Sequence, residues 1–160
     1  MNVRDVLKYG HKDVVSAVEG LSATEWEIPE VTTTWSAKDT IGHLAAYELM
    51  LEDALTSVLD PSAPTPTLEK MKAAGKSFNE AESASRRSRS GREVFDEYNA
   101  THQRVMGLVD RLTPERLREP GTIPWYGAQY SLDDFIVYAN YAHKREHVAQ
   151  IRLFLKRRRV

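Results

Sequence analysis

Two histidines near the end of the chain have the residue type and spacing that most directly suggest chemistry. His143 and His147 belong to the string HKREH, and residues four apart lie on one face of an α-helix, about 6 Å apart along its axis. Both also fall on the apolar stripe of the surrounding helix. Burying two imidazoles costs free energy unless their nitrogens have partners, and a metal ion is one such partner. The alternative interpretation is a pair of hydrogen-bonded core histidines.

His43, on the inner face of an earlier predicted helix, is the third histidine that fits this pattern. Three imidazoles leave coordination positions open, and such a site activates water when it holds zinc, nickel or iron. Taken alone, a histidine at this position is more often a core residue. The chain contains no cysteine, which excludes thiolate ligands, disulfides and a cysteine nucleophile.

Tyr47 and Glu146 are the candidate catalytic groups. Tyr47 lies one turn after His43, where it either donates a hydrogen bond to an oxyanion or simply packs. Glu146 completes a His-x-x-Glu-His string, which is typical of inverzincin proteases. Only 13 residues follow His147, and none is an aspartate, glutamate, histidine or cysteine. The protease hypothesis is therefore disfavoured, and a supporting or surface role for Glu146 is favoured over that of a base.

His11 and His102 fall on apolar stripes of two other predicted helices. Either could line a substrate pocket, although core or interface positions are the more frequent use of such histidines. A basic run lies before the third helix and could meet the carboxylates of a thiol cofactor or an acidic substrate. A solvated face is the favoured interpretation of this run, which consists of Arg86, Arg87, Arg89 and Arg92.

Four amphipathic helices are predicted to position these side chains, because apolar residues recur at steps of three and four. They span about residues 3–21, 36–58, 92–112 and 131–156. Ser36 with Asp39, and Ser131 with Asp134, each predict a capping box at a helix start.

The connection between the second and third helices is long, which allows neighbouring helices to run parallel. Its proline-rich start, at residues 60–67, predicts a loop, and residues 77–89 predict a short extra helix. No segment predicts a strand, so the predicted fold class is all-α.

The composition indicates an ordinary single domain, spanning residues 1–160. The chain is 41% hydrophobic and 28% charged, and its length is enough for a core without disulfides. The net charge of -1 gives no reason to predict a nucleic-acid or membrane partner. The first residues are too charged for a signal peptide, and no apolar run approaches the roughly 20 residues of a membrane span. A cytoplasmic protein is expected.

Three segments resemble the DinB/YfiT-like superfamily. TWSAKDTIGHLAAYE resembles its second-helix signature, in which Ser36 and Asp39 precede a metal-binding histidine, here His43. YSLDDFIVYANYAHKREHVAQIR resembles its last helix. SFNEAESASRRSRSGREVFDEYNATHQRVMGLVDRL is similar to the middle of the colibactin-resistance (DfsB-like) branch and of mycothiol-dependent relatives.

The resemblance covers nearly the whole chain and implies an up-down-down-up four-helix bundle that forms a homodimer. It also implies a divalent metal ion, zinc, nickel or iron, on His43, His143 and His147, and a substrate contact for Asn79. Because some relatives are hydrolases and others use a low-molecular-weight thiol, a metal-dependent hydrolase or thiol transferase for a small reactive compound is expected. The alternatives are a non-catalytic protein that sequesters a small molecule and a purely structural helical module.

Overall fold

The computed structural model describes residues 2–159, which fold into helices and the segments that connect them. Three long helices are α1 (Val3–Val18), α3 (Ala37–Leu59) and α6 (Gly91–Val109). The fourth, called the terminal helix below, is continuous over residues 132–158. Within the described residues, strand pairing is limited to one isolated bridge between Thr32 and Trp35. The predicted all-α class is therefore confirmed.

The terminal helix changes its winding along its length. It begins as α8 (Leu132–Phe135), continues as a π-helical stretch (Ile136–Tyr141) and ends as α9 (Ala142–Arg158). In a π-helical stretch the backbone hydrogen bonds join residues five apart instead of four, and such stretches are often found at functional sites. Here it directly precedes the two histidines that the sequence singled out.

Shorter helices fill the connections between the long ones. They are α2 (Ala23–Trp26), α4 (Pro66–Ala74), α5 (Phe78–Ser85) and α7 (Pro114–Arg118). The extra helix predicted over residues 77–89 is present as α5.

The proline-rich loop is shorter than the predicted residues 60–67, because α4 already begins at Pro66. Proline suits the first position of a helix, where its fixed φ and missing N–H cost nothing. The Asp53 carboxylate accepts hydrogen bonds from the backbone N–H groups of Thr67 and Leu68, at 2.7 and 2.9 Å. It thereby caps the start of α4 from the neighbouring helix.

Both predicted capping boxes are present and set where two long helices begin. The Ser36 hydroxyl accepts from the Asp39 N–H, and the Asp39 carboxylate accepts from the Ser36 N–H. Ser131 and Asp134 repeat the arrangement. The first helix, predicted to reach residue 21, ends at Val18 because the chain turns just afterwards, with a positive φ of 82° at Gly20 that glycine adopts readily.

The long helices pack in pairs, with α3 along α6 and α1 along α9. The terminal helix also contacts α3, so the histidines of α9 face the histidine of α3. The up-down-down-up order of the four helices stays a prediction. No helix within residues 2–159 combines the length and apolarity needed to cross a membrane.

Candidate metal centre

The imidazoles of His43, His143 and His147 converge at the contact between α3 and α9. The Nε2 atom of His143 lies 2.8 Å from Nε2 of His43 and 3.0 Å from Nε2 of His147. Two nitrogens that each lie about 2.0–2.1 Å from one tetrahedral zinc ion are about 3.3 Å apart, so these nitrogens need to separate by about half an ångström at most to share one ion. The three side chains therefore fit a single divalent ion, and all offer a ligand atom within 4.8 Å of one another.

Burial keeps these imidazoles neutral, which is the form that binds a metal. Burial, together with the neighbouring His143 and His147, lowers the pKa of His43 to about 3. Burial and His147 together lower the pKa of His143 to about 4. The pKa of His147 is also lowered by burial, although its hydrogen bond to Gln150 opposes the change.

Gln150 and Thr32 orient the ring of His147. The Gln150 Oε1 atom lies 2.7 Å from His147 Nδ1, and it accepts a hydrogen bond of 2.7 Å from the Thr32 hydroxyl. Because an amide oxygen only accepts, the proton of His147 sits on Nδ1 and the lone pair of Nε2 faces the other histidines. An acceptor behind a histidine ligand is a common feature of metal sites, where it fixes the ring and raises its basicity.

Two aromatic side chains enclose His43. The centroid of the Trp35 ring lies 5.0 Å and that of Tyr47 lies 4.7 Å from the His43 ring. Tyr47 also packs against His143, at 4.5 Å between centroids. The Nδ1 atoms of His43 and His143 are buried without a hydrogen-bond partner among the described residues. The aromatic contacts with Trp35 and Tyr47 restrict rotation of the His43 and His143 rings.

A groove of about 350 Å³ opens beside His143. Its walls come from α3 and the terminal helix, and they include both candidate catalytic groups, Tyr47 and Glu146. The remaining lining residues are Tyr138, Ala139 and Ala142. Burial raises the pKa of Tyr47, so its phenol is protonated and can donate a hydrogen bond. Of the three histidines, His143 is the one that lines this groove.

The candidate substrate-binding residues occupy two different places. Asn79 lies near Tyr47, and its side chain partly offsets the effect of burial on the pKa of Tyr47. His11 and His102 instead stack on each other, with ring centroids 3.9 Å apart, and neither belongs to the cluster of three histidines. A substrate contact for any of the three stays a prediction.

Arg86 departs from the solvated basic run that the sequence favoured. It is buried, and its guanidinium donates to Glu82 and Glu97 at 2.9 and 2.7 Å. Two carboxylates offset the cost of removing its charge from water. Arg92, by contrast, is exposed and pairs with Asp96 one turn along α6.

Sequence reasoning assigned no role to Gln150, Thr32, Glu48 or Lys144. The last two carried a detectable signal. Glu48 lies four residues after Leu44 and three before Leu51, on the buried side of α3. Lys144 lies four residues before Val148 on the buried side of α9. A charged residue on an apolar stripe predicts a buried partner. The contact of Thr32 with Gln150 has no such signal in the sequence, because it joins a loop residue to a helix residue 118 positions away.

Comparisons with known proteins agree with this architecture. A family model described as the DinB superfamily matches residues 7–151. A crystal structure of a protein from Streptococcus pneumoniae superposes with a TM-score of 0.81 at 12% identity, over 96% of this chain and 88% of that one. A crystal structure of an uncharacterized protein from Clostridium difficile 630 gives a TM-score of 0.80 at 12% identity, over 96% and 94%. At such low identity these two structures show a shared fold alone. No curated protein shows significant similarity to the chain.

Proposed function

The chain belongs to the DinB superfamily, and from this premise and its converging histidines we propose that it is a metal-dependent enzyme acting on a small, reactive compound. The observation that carries the proposal is the approach of three neutral imidazoles. The Nε2 atom of His143 lies 2.8 Å from that of His43 and 3.0 Å from that of His147. His43, His143 and His147 would hold one divalent ion of zinc, nickel or iron, the metals that imidazole ligands suit.

A bound divalent ion would act as a Lewis acid that activates water or a low-molecular-weight thiol. The protein's own residues prepare the site for it. Gln150 keeps the proton of His147 on Nδ1, and Trp35 and Tyr47 restrict the His43 ring. Pre-oriented ligands reduce the reorganisation that binding requires.

The groove indicates the size of the substrate. At about 350 Å³ it lies at the lower end of the roughly 300–1,000 Å³ range of small-molecule pockets. The protonated Tyr47 would donate to a substrate oxygen, and the exposed Glu146 carboxylate would accept a proton from an attacking group. Hydrolysis and thiol transfer both fit this arrangement, and the need for an added thiol distinguishes them.

Activity measurements on metal-free and reloaded protein test the proposal. Chelator-treated protein, before and after addition of zinc, nickel or iron(II), would be assayed with activated esters, and with electrophiles in the presence of a thiol. We expect turnover that requires a metal and is lost in His43→Ala. The matched control is Gln103→Ala, an exposed residue on α6, which should behave as the wild type.

Two results would contradict the proposal. Full activity of metal-free protein would show that the histidines do no metal chemistry. Stoichiometric binding of a compound without turnover would replace the enzyme with a protein that sequesters a small molecule.

A further inference from the structure

A second group of polar side chains lies inside the bundle, next to the histidine cluster, and the proposed chemistry does not use it. Glu48 on α3 and Lys144 on α9 form an ion pair with Nζ 2.8 Å from Oε2, and their side chains are 0% and 2% exposed. Asn140 Nδ2 donates to Glu48 Oε2 at 3.1 Å, and His102 Nδ1 lies 3.2 Å from Oε1. The Glu48 carboxylate therefore joins α3, α6 and the terminal helix.

A gain in the stability of the fold does not by itself explain the buried ion pair of Glu48 and Lys144. Removing two charges from water is costly, and replacing a buried ion pair by apolar residues of similar size is often neutral or stabilising. Burial would raise the pKa of Glu48, but the charge of Lys144 and the contact with His102 outweigh it and hold that pKa below its ordinary value. Glu48 is thus ionised and fixed in place by directional partners.

The Glu48 contacts lie beside the histidine contacts on the same two helices. Asn140 and Lys144 are four residues apart and share one helix face, which is turned toward Glu48. His143 and His147, also four apart, share the adjacent face, which is turned toward His43. A slip of one residue would rotate both faces by about 100°. The contacts of Glu48 therefore also fix the direction in which the two histidines point.

The first helix closes the same region from another side. A Cβ atom at Gly10 on α1 would lie 3.0 Å from Tyr141 and 3.5 Å from Lys144 Cδ. The glycine thus lets α1 pack closely against the terminal helix where Lys144 turns inward. The terminal helix is held here by α1 and by the Glu48 carboxylate, which leaves it little freedom to rotate.

We propose that Glu48 is a positioning residue for the metal centre. Through Lys144 and Asn140 it sets the rotation and the axial position of the terminal helix, so that His143 and His147 meet His43. This inference rests on the proposed metal site and adds to it the residue that aligns the two helices carrying the ligands.

The double variant Glu48→Gln/Lys144→Met tests the proposal, because it preserves side-chain size and removes both charges together. We expect the urea midpoint of the metal-free protein to stay unchanged or rise, while the zinc dissociation constant increases at least tenfold. We also expect the visible absorption bands of the cobalt(II)-loaded protein to change. The matched control, Glu52→Gln/Arg104→Met, removes a salt bridge of 2.7 Å between α3 and α6 and should keep the wild-type zinc affinity and spectrum.

The outcomes separate this proposal from the one on which it rests. Wild-type protein that binds no zinc would overturn both. Wild-type affinity and spectrum in the Glu48→Gln/Lys144→Met variant would overturn only the role of Glu48. If that variant does not fold, Asn140→Leu removes one contact to Glu48 and leaves the ion pair. It should also weaken zinc binding, and unchanged binding would count against the proposal.

Discussion

Gln150 controls which nitrogen of His147 carries the proton, through an acceptor oxygen 2.7 Å from Nδ1. Replacing it by leucine removes the acceptor and frees the ring to turn. We expect Gln150→Leu to bind zinc about 10–100-fold more weakly, the usual cost of losing an acceptor behind a histidine ligand. Competition with a chromophoric chelator measures this change.

The control for Gln150 is the same substitution at Gln103, which is exposed on α6. Gln103→Leu should leave the zinc dissociation constant unchanged. Equal affinities for both variants and the wild type would show that the hydrogen bond to His147 has no influence on metal binding.

The buried His43 makes the stability of metal-free protein depend on pH. Its pKa is about 3 in the folded state, against an ordinary value of 6.5. Between these values the unfolded chain binds a proton that the folded chain does not. The His43 contribution to the free energy of unfolding is therefore fully present above about pH 6.5 and is lost as the pH falls toward 3. From pH 6.5 to 5, His43 alone accounts for at most about 2 kcal/mol.

Urea unfolding of metal-free protein at pH 7 and pH 5 measures the effect. His43→Gln cannot take up this proton, so its stability should fall less over the same interval. A wild type and a variant with the same pH dependence would contradict the burial argument for His43.

Two glycines of α6 show how the packing of an element decides the effect of one methyl group. A Cβ atom at Gly91 would overlap the side chain of Trp26, whereas nothing lies within 4 Å of one at Gly107. We expect Gly91→Ala to lower the free energy of unfolding by about 1–3 kcal/mol or more, as overpacking does. Gly107→Ala should raise it by about 0.5–1 kcal/mol, because alanine favours the helix. Comparable effects of the two substitutions in denaturant unfolding would contradict the packing around Trp26.

The starts of the helices were predictable from the sequence, whereas the winding of the terminal helix was not. Ser36 and Ser131 predict the starts of α3 and α8, because a capping box is formed by residues only three apart and is therefore visible in the local sequence. The π-helical stretch at Ile136–Tyr141 has no such local signal. It directly precedes α9, whose Lys144 pairs with Glu48 on α3, a contact between residues far apart in the chain. The start of α4 at Pro66 was also missed, because the side chain that caps it, Asp53, belongs to α3 and not to the residues just before α4.

At the scale of the whole molecule, the sequence predicted the histidine cluster but little of its surroundings. Spacing paired His143 with His147, the helix pattern offered His43 as the third ligand, and the family resemblance supported that choice. The groove and the contacts of Gln150 and Glu48 arise only when α3 and the terminal helix pack together. The predicted homodimer is an assembly property that depends on a second chain. Sedimentation at several concentrations tests it, and a monomer throughout would contradict it.

The metal content of tag-free protein purified without chelator tests the central claim most directly. Elemental analysis would compare the wild type with the His143→Ala/His147→Ala double variant. The account predicts about one zinc, nickel or iron ion per chain in the wild type and almost none in the variant. Absence of metal from both proteins, even after zinc, nickel or iron(II) is added back, would contradict the metal centre and leave the three histidines as core residues of a helical bundle.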